Sequence, residues 1–371
     1  MKPLPDFVIS PAARNVAWRY DLLTAARRRL YEIAKGHIDS NNVEASSLTT
    51  EERMAFFRTP EFVAWVEAER ASGHQVFWLK DVDKTQAAGD IFTFFYKWRA
   101  DNKKFSPSQL KTIEDFLLSR MNPVERAAFK VARRFTSLDR LSPYEVIRLW
   151  QSKEHGGPGI SLLDFWSKIY WPTQIGLTKE EKESQVREFA PHYAKKVYPG
   201  VPEENRLLEE LGVNVVIVSN GDHELALAVS GILGIKPENV VGSRLVYGKD
   251  GRATGCLYSY ELFDEEWSDR PQPGKPLSFH YWAHVNRKRL GLPHLSDEQI
   301  VVAGRDGDSA SADGGMMILL SPPAIGNFMV DTPGEPGRLK KFFELAARYG
   351  WTRGQFFTLR QLASKSGAVP E

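Results

Sequence analysis

Three short apolar runs, each breaking off into polar residues, constrain this chain more than any other feature. Gln75-Val76-Phe77-Trp78-Leu79-Lys80 stops at Asp81-Val82-Asp83-Lys84-Thr85, and Asn214-Val215-Val216-Ile217-Val218 stops at Ser219-Asn220-Gly221. Gln299-Ile300-Val301-Val302-Ala303 runs into a polar loop from Arg305 to Asp313. Such runs read as strands, and helical periodicity follows them through Leu225 and Ala228 and again after Lys275. Alternating strands and helices give an α/β fold whose parallel sheet is covered on both faces and binds ligands beyond the carboxyl ends of its strands. The polar clusters belong at those ends.

The segments between the runs set the organisation. Before Gln75 the chain reads as helical: Ser10-Pro11 opens an amphipathic run to about Lys35, Thr49 and Glu52 have capping-box form, and another helix begins near Thr59-Pro60. Its apolar spacing implies a face buried against the core. Residues 91–200 show helical periodicity and many aromatic residues, and read as a helical insertion. A hairpin is expected from Arg244 to Tyr247 and back from Ala253 to Tyr258, turning at Lys249-Asp250-Gly251.

Composition narrows the function classes. With 42% hydrophobic and 26% charged residues, the 371-residue chain can bury a large core. A net charge of +2 gives no field favouring nucleic acid or an acidic membrane surface, so an anionic ligand must be held locally. No apolar run approaches the roughly 20 residues of a membrane-spanning helix. The single cysteine, Cys256, and a start without a signal-like stretch suit a reducing cytoplasm.

The clusters carry the parts that phosphoryl transfer requires. A carboxylate nucleophile is repelled by a phosphate dianion, so it needs a divalent cation, a fixed ammonium and an acid for the departing alkoxide. Asp81 suits the nucleophile and a metal ligand, Asp83 the general acid and later base, and Lys275 the ammonium. Ser219 and backbone amides at the following helix start suit the phosphoryl oxygens. Asp308, with Asp313 behind it, completes a site of oxygen ligands fit for Mg2+. Taken singly, each has a plainer reading: a capped turn for Asp81 and Asp83, a helix cap for Ser219 or Asn220, a solvated helix start for Lys275.

Taken in order, Asp81-Val82-Asp83-Lys84-Thr85, Val218-Ser219-Asn220, Gly274-Lys275 and Gly307-Asp308-Ser309-Ala310-Ser311-Ala312-Asp313 resemble the four motifs of the haloacid dehalogenase superfamily. The resemblance covers about Gln75 to Val330. It implies a Rossmann-like core with a helical cap inserted after the first motif, hence an N-terminal helical extension (1–74), a core (75–90 and 201–371) and a cap (91–200). It also implies a magnesium-dependent phosphomonoester hydrolase with an aspartyl-phosphate intermediate on Asp81, the Asp83 carbonyl on the metal, and Thr85, Ser219, Asn220 and Lys275 on the substrate. Lys84 stands where Gly, Asn or Ser is more usual. Gly304-Arg305-Asp306 sits where the fourth motif would fall by counting from the strand, so Asp306 competes with Asp308; the preceding glycine and the distance to Asp313-Gly314 favour Asp308.

Within the superfamily the chain is most similar to phosphoserine phosphatase-like and phosphorylcholine phosphatase-like members, through Lys236-Pro237-Glu238-Asn239-Val240-Val241-Gly242 and Asp313-Gly314. Asp90 falls where phosphoserine phosphatases carry a substrate-contacting Glu. With Trp150, Phe165, Trp166, Tyr170 and Trp171, which read either as cap packing or as an aromatic cage, it points to an amine or choline phosphate. His280 and His284 share a helix face without a third ligand and read as surface or packing residues. The expected partner is a small phosphate ester, with neither nucleic acid nor membrane; the oligomeric state stays open. The alternatives are an inactive binding module of the same fold and a phosphotransferase to an acceptor other than water.

Overall fold

The computed structural model describes residues 17–34, 46–154, 157, 159–257, 274–283, 295–319, 324–331, 338–351 and 356–361. The chain divides into two compact units, one of Met1–Gly89, Ala194–Ser243 and Tyr258–Glu371, the other of Asp90–Tyr193 and Arg244–Leu257. The strands are β1 (Ser46–Thr49), β2 (Gln75–Lys80), β3 (Val213–Asp222), β4 (Val240–Tyr247), β5 (Ala253–Leu257), β6 (Ile300–Gly307), β7 (Gly326–Asp331) and β8 (Phe356–Arg360).

In the first unit the strands pair in the order β1-β8-β7-β6-β2-β3-β4, every neighbour parallel. Strand β2 lies between β6 and β3, with Lys80 opposite both Asp306 and Ile217. The polar clusters that follow β2, β3 and β6 therefore leave the sheet side by side. Alternation turns Phe77 and Leu79 into a core with Val216, Val218, Phe279, Trp282 and Met329. Trp78 turns the other way, edge-on to Phe57 at 5.0 Å and against Phe328 at 5.4 Å. Each fully buried side chain of this size contributes roughly 1.5–3 kcal/mol.

The N-terminal segment is not purely helical, as the sequence suggested. It supplies β1, which extends the sheet by pairing Ser46–Thr49 with Phe357–Arg360. Four residues with one apolar side chain carry no alternation to read; their structure comes from the partner strand. The expected capping box is present: Thr49 Oγ1 accepts from the Glu52 amide at 3.2 Å and Glu52 Oε2 from the Thr49 amide at 2.8 Å, opening the helix Thr50–Phe57. Thr59 caps the helix Pro60–Ala71. The start expected at Ser10-Pro11 lies outside the described residues, which enter that helix at Ala17.

Two strands run further than the sequence suggested. Strand β3 continues through Ser219-Asn220-Gly221, and Asp222 caps the next helix, His223–Ser230, through its Oδ1 and the Leu225 amide at 3.2 Å. Neither Ser219 nor Asn220 is the cap. Strand β6 continues to Gly307, so Arg305 and Asp306 belong to the sheet and not to a loop.

The second unit is built from the helices Ile91–Asp101, Pro107–Arg120, Pro123–Ala132, Leu138–Glu154 and Lys179–Tyr193. The hairpin belongs to it, with Arg244–Tyr247 antiparallel to Ala253–Leu257 around Gly251 at φ 74°. Its aromatic rings pack on one another: Trp150 on Phe165 (6.1 Å), Phe165 on Phe92 (6.1 Å), Tyr170 on Phe92 (5.6 Å) and Trp171 on Tyr170 (5.4 Å). That is core packing. Among the described residues no helix is long and apolar enough to cross a membrane.

Candidate active site

Asp81 leaves β2 held at both ends of its peptide unit. Its amide donates to the Asp306 carbonyl at 3.1 Å, and Gln86 Nε2 donates to its carbonyl at 2.8 Å. Gln86 is itself fixed by Asn205, whose Nδ2 donates to Gln86 Oε1 at 2.8 Å. The loop folds back through the amides of Thr85, Gln86 and Ala87, all directed at the Val82 carbonyl. Lys84 takes the left-handed conformation, φ 57°, that a non-glycine residue seldom adopts.

The side chain of Asp81 meets Lys275, the second residue of the helix Gly274–Tyr281, with Nζ to Oδ1 at 2.5 Å. Lys275 also pairs with Asp313 Oδ1. The other oxygen of Asp313 accepts from the amides of Asp308 and Ser309 at 2.8 and 2.9 Å, pinning the loop after β6. Gly307 makes this possible: a Cβ there would lie 2.7 Å from both Cβ and Cγ of Asp313. Asp81, Asp308 and Asp313 each offer an oxygen, all within 4.8 Å of one another.

All four groups are nearly out of solvent, with exposures of 6% for Asp81, 1% for Lys275, 4% for Asp308 and none for Asp313. Burial pushes Asp81 up to about 7; Lys275 opposes this and the Asp313 charge adds to it. Burial also works against the Lys275 ammonium, but Asp313 and Asp81 outweigh it and hold Lys275 above the usual lysine range. Three buried carboxylates thus cluster around one buried ammonium, which pairs with Asp81 and Asp313. A divalent cation with oxygen preference fits such a surplus of buried negative charge. Asp313 has committed both oxygens to Lys275 and the loop amides, which leaves Asp81 and Asp308 as the better placed ligands.

The remaining candidates fall as follows. Ser219 is buried, and its Oγ accepts from the Gly221 amide at 2.9 Å. A methyl group on Gly221 would lie 3.2 Å from Ser219 Oγ and 3.9 Å from Asp83 Oδ2, which brings Asp83 and Ser219 to one small volume. Asn220, within β3, donates Nδ2 to the Ala312 carbonyl (3.5 Å), and its own carbonyl accepts from Ser243 Oγ of β4 (2.9 Å). Thr85 is buried, its carbonyl accepting from Gln361 Nε2 at 2.9 Å. Asp90 belongs to the second unit, buried at the start of the helix Ile91–Asp101. His284 lies outside the described residues.

Asp306 does not compete for the carboxylate group. Its side chain accepts two hydrogen bonds from Arg53, at 2.7 and 2.8 Å, and one from Trp78 Nε1 at 2.8 Å, within a cluster completed by Lys80 and Glu204. Burial alone would raise Asp306, but Arg53 and Lys80 outweigh it and hold the carboxyl below its usual range. Sequence reasoning missed Arg53, Lys80, Gln86 and Glu204. Lys80 offered a signal, a charge closing an apolar strand, which requires a buried partner; the others offered none.

Fold and site together define an α/β protein with a parallel sheet and a buried carboxylate and ammonium group at its central strand ends. No protein-family model matches the chain, and no curated protein does. Solved structures do. A protein with unknown function from Bordetella pertussis Tohama I is 14% identical over 76% of this chain and 98% of its own, with TM-score 0.46. A phosphoserine phosphohydrolase-like protein from Francisella tularensis is 15% identical over 68% and 86%, with TM-score 0.32. A HAD family hydrolase from Salmonella enterica serovar Typhi is 11% identical over 77% and 76%, with TM-score 0.34.

Proposed function

We propose that the chain is a magnesium-dependent phosphomonoesterase of the haloacid dehalogenase superfamily, acting on a small phosphate ester. The observation that carries this reading is the convergence of Asp81, Lys275, Asp308 and Asp313 from three separate stretches of chain. Asp81 and Asp308 would hold the magnesium ion, which when bound offsets the charge of the phosphoryl oxygens.

An oxygen of Asp81 attacks phosphorus in line with the ester oxygen, whose bond to phosphorus breaks. Asp83 gives its proton to the departing alkoxide, leaving the phosphoryl group on Asp81. Asp83, now a carboxylate, takes a proton from water, and the resulting oxygen attacks phosphorus and frees the Asp81 carboxylate. Lys275 and Ser219 face the phosphoryl oxygens, and Lys275 keeps Asp81 aimed. A proton shared by Asp81 blocks the attack, so ionisation near pH 7 in the metal-free site is favoured by cation binding.

Asp90 is the basis for an amine-bearing leaving group, by charge attraction; the aromatic residues of the second unit lend no support, since their rings cover one another. The test is phosphate release from an aryl phosphate with and without magnesium, then across a panel of phosphate esters. Turnover that persists in Asp81→Asn sinks the mechanism. Magnesium binding without turnover on any ester favours the inactive binding module instead, and phosphate passing to an added alcohol marks a phosphotransferase.

A further inference from the structure

Behind the strand ends lies a second cluster of charges that the proposed reaction does not use. Arg53, from the helix Thr50–Phe57, presents one edge of its guanidinium to Asp306, at 2.7 and 2.8 Å, and another to Glu204, with Nε to Oε2 at 2.7 Å. Lys80 pairs with Glu204 and lies 3.4 Å from Asp306 Oδ2. Trp78 Nε1 donates to Asp306 as well. The four charges balance, two against two, and each residue is at most 1% exposed. The guanidinium is sandwiched among rings, 5.0 Å from the Phe328 centroid and 5.6 Å from that of Trp78.

Stability alone does not explain such a cluster. Apolar side chains of similar volume commonly serve a core as well as a buried ion pair or better. What the charges add is direction. Asp306 is clamped by a planar fork, an indole and an ammonium, so its side chain has one position. Its own backbone carbonyl receives the Asp81 amide at 3.1 Å, and Asp308 follows two residues later. The clamp therefore fixes a residue that is tied to the nucleophile by its carbonyl and to the metal-binding loop by the chain.

We propose that Arg53 is a positioning residue: acting through Asp306, it sets the separation of Asp81 and Asp308, and so makes the N-terminal segment part of the catalytic apparatus. The proposal rests on the phosphatase reading of the site. Outer partners of metal ligands typically influence metal affinity about 10- to 100-fold; Asp306 is such a partner of Asp81, and Arg53 acts one step further out, at the lower end of that range.

The test is magnesium affinity by calorimetry on the full chain, beside kcat and KM on an aryl phosphate. The variants are Arg53→Met, Arg53→Lys and, as a packing control in the same segment, the fully buried Phe62→Ala. All are measured at a temperature where circular dichroism shows each folded. Arg53→Met is expected to weaken magnesium about tenfold and to lower kcat while KM changes little. Arg53→Lys should recover part of both, because it keeps the charge without the fork. Phe62→Ala should lose as much melting temperature while magnesium affinity stays at the wild-type value. Where Arg53→Met does not fold, Arg53→Lys against Phe62→Ala decides the matter. Wild-type magnesium affinity in the Arg53 variants, or an equal loss in Phe62→Ala, overturns the proposal. A wild-type chain that binds no magnesium overturns the proposed function itself, and the positioning role with it.

Discussion

Lys275 and Asp81 stand 194 positions apart in the chain, yet the ammonium of one meets the carboxylate of the other at 2.5 Å, both buried. This contact joins the end of β2 to the start of the helix Gly274–Tyr281 and gives the site a fixed cation. Replacing Asp81 with Asn removes the proposed nucleophile while keeping its shape. Phosphate release is expected to fall to the assay background, and the near-unchanged circular dichroism spectrum should show that folding is not the cause.

The raised carboxyl of Asp81 predicts how stability varies with pH. Its proton is held up to about pH 7 in the metal-free fold and is lost near the ordinary 3.8 when unfolded. The folded state then binds the extra proton between these values, so the stability it contributes is complete below about 4 and is lost as pH rises to about 7, up to ~4 kcal/mol in all. Melting curves of wild type minus Asp81→Asn should show this slope, and saturating magnesium should remove it. A difference independent of pH would contradict the assignment.

Lys84 holds a left-handed backbone, which costs an ordinary residue roughly 1–2 kcal/mol. Lys84→Gly is expected to raise stability by about 1 kcal/mol, since part of that relief is returned as entropy of the unfolded glycine. Lys84→Val should lower it by a similar amount. Urea unfolding of the two variants measures both, and a destabilised Lys84→Gly would mean that the lysine side chain contributes more than its backbone costs.

Gly307→Ala places a methyl group inside the van der Waals radius of Asp313. Overpacking of this kind costs about 1–3 kcal/mol. Asp313 must retreat from the Asp308 and Ser309 amides, so magnesium affinity should fall together with the melting temperature. Calorimetric titration tests the first and thermal unfolding the second.

A chain starting near Ser72 loses β1 and Arg53 together. Asp306, Glu204 and Lys80 would keep two buried anions against one cation, a loss of about 3–5 kcal/mol, and β8 would be left an open edge. Such a chain is expected to be insoluble or to melt far below the full protein. Melting like the full chain would show that the N-terminal segment is dispensable.

Strands β2, β3 and β6 were legible because a run such as Val215–Val218 is apolar on both faces and too short for a helix. The order of the polar clusters after them, and the parallel sheet that gathers such clusters, followed from the same local signal. Local sequence could not show that β3 and β6 continue through polar residues, because a buried Asp306 is tolerable only where Arg53, Lys80 and Trp78 meet it. The preceding glycine and the distance to Asp313-Gly314 favoured Asp308 over Asp306, but local sequence could not show where the Asp306 side chain goes. Tertiary structure supplies that: the Asp306 side chain meets Arg53 of the helix Thr50–Phe57, while Gly307 lets Asp313 close on the loop bearing Asp308. Partners 124, 151 and 253 residues apart in sequence have no spacing to read, and only packing brings them together.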